Sequence, residues 1–276
     1  MPTPKLSIVI PAYNEERRLA ATLSAVLGYL GRQSYSFEVI VSDDGSTDGS
    51  ASIVEDLARS HPELRVLRNE HRGKGYAVRA GIQAAHGEIV LFSDADLSTP
   101  IEELDRFIPC FENGCEVVIG SRQVEGAHRI GEPFFRHFMG RVFNHIVSLV
   151  TLSGIHDTQC GFKGFSARAA RQIFRATLLY SDDAPVIRDA MVTGFDVEVL
   201  FLARKLGYTI RELPVRWNYD AGTKVNPIKD SWRNFRDVVK VRLNDRLGLY
   251  PVDTSAAAYS AEARRAARHL TGHPVT

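Results

Sequence analysis

Two aspartates one residue apart, Asp94 and Asp96, close the apolar run 89–92 in the stretch VLFSDADLSTP. A strand that ends this way either turns at the surface, where Asp is common, or aims two hard carboxylates at one cation. Such oxygens suit Mg²⁺ or Mn²⁺, ions that keep water and substrate phosphate as their other ligands. A second acidic pair, Asp43 and Asp44, opens DDGSTDG after another apolar run. It reads as a strand-to-helix turn with Asp48 or Ser50 as the cap, or as an acceptor for a base N–H or a ribose hydroxyl. PAYNEE is open in the same way. Pro11 ends a strand and Asn14 caps a helix, or Tyr13 and Glu15 face a nucleotide. In RGKGYA, Lys74 sits between two glycines at a helix start, a place suited to an anion. The spacing there is neither GxxxxGK[ST] nor GxGxxG, so a plain tight turn is the competing reading.

The elements that must position these residues follow from apolar periodicity. LSIVI, FEVIVSDD, LRVLRN, EIVLFSDAD and EVVIGSR read as buried strands. Between them, residues 14–30, about 50–59, and the stretch KGYAVRAGIQAAHG read as helices. The first has Asn14 as its cap and Leu19, Leu23, Val26, Leu27 and Leu30 on one stripe; the last closes at Gly87. Strand and helix in alternation, with continuous Val/Ile runs, predict a mostly parallel sheet covered on both faces. Ligands of such sheets bind beyond the carboxyl ends of the strands. PAYNE, SDDGSTDG and DAD would therefore meet in one crevice, which favours a functional reading of Asp94 and Asp96.

The second half is less regular. Residues 134–150 form a helix candidate with Phe135, Phe138, Met139, Val142, Ile146 and Leu149 at helical spacing, and Arg136, His137, Arg141 and His145 along it. TQCGFKGFS reads as a turn and short strand, GFDVEVLFLARKLG as a helix, YTIRELPV as a strand, and residues 231–247 as a helix rich in Arg and Lys. The Phe-rich stripe at 134–150 is explained by core packing or by an interface with anionic lipid, which Arg233, Arg236, Lys240, Arg242 and Arg246 would extend.

At 276 residues, 44% hydrophobic and 24% charged, the composition is that of a soluble globular protein. A net charge of +1 gives no field towards nucleic acid. Three cysteines make neither a disulfide framework nor a zinc spacing, and suit a reduced, cytoplasmic compartment. No stretch reaches 18 uncharged apolar residues, so contact with a membrane would be peripheral. The expected organisation is one domain over residues 1–250, in two halves, 1–122 and 123–250, followed by a tail over 251–276.

Taken in order, SIVIPAYNEE, EVIVSDDGSTDGS, NEHRGKGYAVRAGIQAAHGEIVLFSDADLSTP and VVIGSR resemble the inverting family-2 glycosyltransferases. These have the GT-A fold, a Rossmann-like α/β architecture. HDTQCGFKGF, GFDVEVLFLARKLGYTIRELPVRW and AGTKVNPIKDSWRNFRDVVKVR are similar to the dolichyl-phosphate glucose synthases and related polyprenyl-phosphate sugar synthases. The likeness covers about residues 5–250, and implies that 1–122 is the nucleotide-sugar-binding half and 123–250 the acceptor half. It implies a nucleotide-sugar donor, a divalent cation (Mg²⁺ or Mn²⁺), and transfer with inversion to a polyprenyl or dolichyl phosphate. UDP-glucose is the expected donor and GDP-mannose the alternative. Pro11, Tyr13, Glu15 and Asp43 match positions that hold the nucleoside, and Ala12, Asn14, Val41, Asp44, Lys74 and Gln159 are grouped with them as substrate-binding candidates. Asp94 and Asp96 match the metal pair, with Ala95 between them at the nucleotide. Ser98 stands where some relatives place Gln towards the metal. Arg122 and Arg136 match acceptor-phosphate contacts, and Lys224 a cation over the donor diphosphate. The segment WNYDAGTK departs from relatives that carry Arg shortly before that Lys, and relatives often bear membrane helices at one end.

Glu198 or Asp196 in GFDVEV lies where sugar-to-sugar transferases place a general base, although a solvated helix carboxylate is an equal reading. Two other functions are compatible with parts of this pattern: transfer to a saccharide hydroxyl, and nucleotide-sugar binding without catalysis. A dinucleotide oxidoreductase is disfavoured, because no GxGxxG follows the first strand.

Overall fold

The computed structural model describes residues 3–131, 152, 154–182, 184–187, 194–219 and 227–250, with backbone alone for 227–231. The helix candidate at 134–150, the segment GTKV and the tail lie outside these residues.

The strands are β1 (Leu6–Ala12), β2 (Phe37–Asp43), β3 (Leu64–Arg68), β4 (Ile89–Ser93), β5 (Val117–Ser121), β6 (His128–Ile130), β7 (Phe162–Ser166), β8 (Ile210–Pro214) and β9 (Arg216–Asn218). The helices are α1 (Glu16–Leu30), α2 (Ser50–Ala58), α3 (Lys74–Gln83), α4 (Leu104–Glu112), α5 (Ala167–Ala176), α6 (Phe195–Lys205) and α7 (Pro227–Arg246). Seven strands form one sheet in the order β3-β2-β1-β4-β7-β5-β8, and β6 pairs with β9 apart from it.

Side chains alternate across this sheet as the pleat demands. Val9, Ile40, Val90 and Phe92 enter one core, with Val78 and Ile82 of α3 and the apolar faces of α5 and α6. Ile8, Ile10, Val39 and Val41 enter the other, against Leu19, Leu23, Val26 and Leu27 of α1 and Phe107 of α4. With both faces covered, β1 and β4 are buried along their whole length. That is why they read as unbroken apolar runs rather than as alternating ones.

One strand runs against the rest. β7 pairs antiparallel with β4 and with β5, while β1, β2, β3 and β4 are mutually parallel neighbours and β5 runs parallel to β8. Residues that precede an antiparallel strand reach the same sheet edge as residues that follow the parallel ones. The register Ser93↔Phe162 therefore sets Cys160 and Gly161 beside Asp94. This single reversal brings HDTQCGFK into the crevice.

Three local expectations are corrected. α1 starts at Glu16 without a side-chain cap. Asn14 takes a left-handed φ of 52°, and its Oδ1 accepts from Thr47 N at 2.8 Å instead. α2 is preceded by Gly49, again without a side-chain cap, and Asp48 accepts from Ser50 N at 2.9 Å just outside it. α3 ends at Gln83, before Gly87. Gly87 serves a close approach: a Cβ there would lie 2.6 Å from Ser7 N.

Candidate active site

Asp94 leaves β4 with its N–H donating to Gly161 O at 3.1 Å, and Leu97 N closes a turn on Asp94 O at 3.2 Å. Leu97 takes a φ of 46°, and Asp96 Oδ1 accepts from Ser98 N at 2.9 Å. The turn bends the chain back, so both acids stay at the strand end rather than on opposite faces. Gly161 is needed here for space: a Cβ on it would stand 2.1 Å from Asp94 Oδ2. Lys74, the first residue of α3, places its ammonium 2.7 Å from Asp94 Oδ1. Apart from that ammonium, Oδ1 is buried with no hydrogen-bond partner.

Charge shapes this corner. Burial and the neighbouring Asp94 carboxylate push the pKa of Asp96 up, against the Ser98 hydrogen bond and Lys74. Burial opposes the charge on Lys74, but Asp94, Asp196 and Asp96 outweigh it and hold its pKa above the usual lysine value. Behind them lies Lys163 of β7, fully buried, 2.5 Å from Asp196 Oδ1 and donating to Cys160 O. Burial raises the pKa of Asp196 in spite of Lys163 and Lys74. Three carboxylates thus share two ammonium groups, leaving the corner short of positive charge.

These residues fit a hard divalent cation. Among the described residues no group of three or more His, Cys, Asp or Glu forms a closed cage. An ion held by Asp94 and Asp96 would complete its shell with water and phosphate oxygens, as Mg²⁺ and Mn²⁺ do.

The nucleotide candidates gather at the ends of β1 and β2. The Tyr13 ring stacks on His71, centroids 3.8 Å apart and ring planes nearly parallel. Pro11 and Ala12 end β1 in pairing with Ser42 and Asp43. Asn14 N donates to Ser46 Oγ and Glu15 N to Ser50 Oγ, while the Glu15 carboxylate pairs with Arg18 at 2.9 Å. Asp43 is buried; its Oδ2 accepts from Ser46 N and its Oδ1 has no partner. Asp44 differs. Its carboxylate accepts from Arg72 N and Gly73 N and faces His71 Nδ1 at 2.8 Å, so it shapes the loop leading into Lys74. Val41 is buried in the sheet core. Ala95 is buried, with its carbonyl held by Thr22 Oγ1 at 2.6 Å, and Ser98 is buried beside Asp96.

Among the acceptor candidates, Arg122 follows β5 and grips Asp157 through Nε and Nη2 at 2.7 and 2.9 Å, with its guanidinium 5.3 Å from the Trp217 ring centroid. Asp157 is fully buried; burial would raise its pKa, yet Arg122 holds it well below the usual carboxylate range. Gln159 Nε2 is buried without a partner, and its Oε1 lies 3.5 Å from Asn234 Nδ2. Asp196 and Glu198, two apart on α6, diverge. Asp196 faces the lysines. Glu198 is buried on the other side, accepting from Leu178 N, Leu179 N and Tyr250 OH at 2.8, 3.1 and 2.9 Å. Arg136 and Lys224 lie outside the described residues. Asp157, Gly161 and Lys163 escape sequence reasoning as individuals, although DTQCGFK contains all three.

Comparison with known proteins bears on the family and the fold. The family described as Glycosyl transferase family 2 matches residues 7–174. The chain is 34% identical to dolichyl-phosphate beta-glucosyltransferase of Dictyostelium discoideum, over 90% of this chain and 76% of that protein. It is 31% identical to the enzyme of the same name from Homo sapiens, over 91% and 79%. Among solved structures, glucosyl-3-phosphoglycerate synthase from Mycobacterium tuberculosis in complex with Mn²⁺, uridine-diphosphate-glucose and phosphoglyceric acid aligns with a TM-score of 0.57. It is 17% identical, over 91% of this chain and 82% of that one. Mannosyl-3-phosphoglycerate synthase from Rubrobacter xylanophilus aligns with a TM-score of 0.61 at 15% identity, over 88% and 75%. The chain is a glycosyltransferase and belongs to glycosyl transferase family 2.

Proposed function

We propose that this enzyme moves glucose from UDP-glucose, with inversion, to the phosphate of a polyprenyl or dolichyl lipid. Asp94 and Asp96 hold Mg²⁺ or Mn²⁺ there, and the reaction runs at the cytoplasmic face of a membrane. The relatives named as dolichyl-phosphate beta-glucosyltransferases support the acceptor. The observation that carries the reading is the state of the two acids of GFDVEV. Asp196 is bound to Lys163, and Glu198 is spent on backbone N–H groups and Tyr250. Neither is a free general base. A hydroxyl acceptor needs one; a lipid phosphate arrives already anionic and needs only orientation.

Transfer builds positive charge at the anomeric carbon and negative charge on the departing diphosphate. Asp94 and Asp96 would hold a divalent ion, which would supply charge neutralisation to that diphosphate. Tyr13, Glu15 and Asp43 seat the nucleoside, and the unpaired Asp43 Oδ1 suits a base N–H. Arg122, locked by Asp157 and stacked on Trp217, presents a fixed cation to the acceptor phosphate. Arg136 and Lys224 are proposed as further phosphate contacts.

The outer face of α7 supports a peripheral encounter with the lipid. Trp232, Phe235, Val239 and Leu243 are exposed at helical spacing, continued by Leu247, with Arg236, Lys240 and Arg246 also exposed. Apolar side chains among cations suit an anionic bilayer surface. Among the described residues no helix is long and apolar enough to cross a membrane. The full chain should float with anionic vesicles, and Trp232→Ser with Leu243→Ser should reduce that.

Assay of the full chain with UDP-glucose or GDP-mannose, a short polyprenyl phosphate and Mg²⁺ or Mn²⁺ tests the reading. Glucosyl polyprenyl phosphate formed from UDP-glucose, and lost with a chelator, is expected. Glucose delivered instead to a saccharide hydroxyl, or no lipid product with either donor, contradicts it.

A further inference from the structure

The Lys74–Asp94 contact has two features that a surface ion pair lacks. The ammonium sits on Asp94 Oδ1, which is buried and has no other partner, while Gly161, lacking a Cβ, leaves room for Oδ2. Lys74 is also the only described cation placed directly on the pair Asp94 and Asp96; Lys163 is turned to Asp196. Yet Lys74 is not locked in place. Its side chain is 34% exposed, and it rises from the first turn of α3, behind Gly73, whose φ is 98°. Its four-carbon stem leaves the ammonium free to swing, unlike the guanidinium of Arg122, which is gripped through two nitrogens.

We infer that Lys74 is a resident counter-cation that competes with the divalent ion for Asp94 Oδ1 and is handed on to the donor diphosphate when the ion binds. This rests on the assignment of the metal to Asp94 and Asp96. An ion that coordinates Oδ1 displaces the ammonium, because one buried oxygen cannot hold both cations. The released ammonium finds its next anion in the diphosphate, which the same ion brings to the corner. Three carboxylates packed with too few cations repel one another. Lys74 relieves that repulsion in the unloaded corner, and its departure couples ion binding to donor binding.

The inference predicts effects of opposite sign on two ligands. Manganese binding to the full chain is followed by the electron paramagnetic resonance of free Mn²⁺, and UDP binding by calorimetry at saturating Mn²⁺. With its competitor removed, Lys74→Met should bind Mn²⁺ alone more tightly, on the order of tenfold, and UDP more weakly by a similar factor. Lys74→Gln should do the same, and Lys74→Arg should resemble the wild type for Mn²⁺. A lysine with a merely structural role would weaken both ligands when lost. Unchanged or weaker Mn²⁺ binding in both neutral variants overturns the inference, as does tighter Mn²⁺ binding with UDP unaffected. Asp94→Asn and Asp96→Asn separate the two levels. If they bind Mn²⁺ like the wild type, the metal assignment itself fails. If they lose Mn²⁺ while Lys74→Met gains nothing, only the competition fails.

Discussion

Two acidic sites lie on the same edge of the sheet, one at the end of β4 and one beside the end of β5, and they are built on opposite terms. Asp157, beside β5, is fully buried and saturated: Arg122 supplies its backbone N–H, Nε and Nη2, and Gln159 N adds a fourth bond. Asp94, at β4, offers an oxygen whose one neighbour is a partly exposed ammonium, and its companion Asp96 is destabilised as a carboxylate by burial and by Asp94 itself. The first arrangement spends its capacity on holding the chain. The second keeps capacity in reserve, at a cost in local stability, which is the mark of a ligand site. A carboxylate's function is thus read from what its oxygens still lack.

That contrast can be broken at several points. Asp96→Asn should lower transfer about a thousandfold, the range expected when transition-state charge loses its stabilisation. It should leave the thermal midpoint unchanged or higher, since a strained carboxylate is removed. Full activity with metal present would end the assignment. Next in size, Gly161→Ala should cost about a hundredfold in kcat/KM, because its Cβ would force the Asp94 carboxylate aside. Normal activity would show that Asp94 has room to relocate.

At the saturated site the effect moves from activity to stability. Asp157→Asn should destabilise the fold at neutral pH by about 3 kcal/mol, as when one partner of a buried pair is lost. The folded-state pKa of Asp157 is depressed. Its contribution is therefore complete above the unfolded value near ~4 and fades as pH falls below it. Urea titrations at pH 7 and pH 3 should show the gap between wild type and variant shrinking at the lower pH; a constant gap would argue against the ion pair as its source. Smallest of all, Glu198→Gln should keep activity within about tenfold, whereas loss of a general base costs roughly 10²–10⁴. A loss of that size, in a variant of normal stability, would return Glu198 to the chemistry and favour a hydroxyl acceptor.

Much of the β4 corner is legible in the sequence, and much of its surroundings is not. Continuous Val/Ile runs disclose β1, β2 and β4, and the parallel order sends their ends, with Asp43, Asp94 and Asp96, to one edge. Nothing local in FKGF reveals that β7 runs backwards, since strand direction depends on the edge from which the chain returns. Gly161 and Lys163 go unnoticed individually for that reason: their partners, Asp94 and Asp196, are far away in sequence and come near only through the reversal. Asp157 hides likewise, being recognisable only beside Arg122. Asp196 and Glu198 look equivalent in GFDVEV, but two positions on a helix are about 200° apart. One acid consequently faces the lysines and the other the Leu178–Leu179 backbone.

The central claim is that Asp94 and Asp96 hold a divalent ion beneath the donor diphosphate. Crystals of the full chain grown with UDP and Mn²⁺, measured at the manganese absorption edge, test it most directly. The account predicts one anomalous peak within coordination distance of the Asp94 and Asp96 carboxylates, with the diphosphate on the same ion and the uracil beside Asp43. A nucleotide bound elsewhere, or manganese absent from these two carboxylates while the nucleotide is in place, would contradict it.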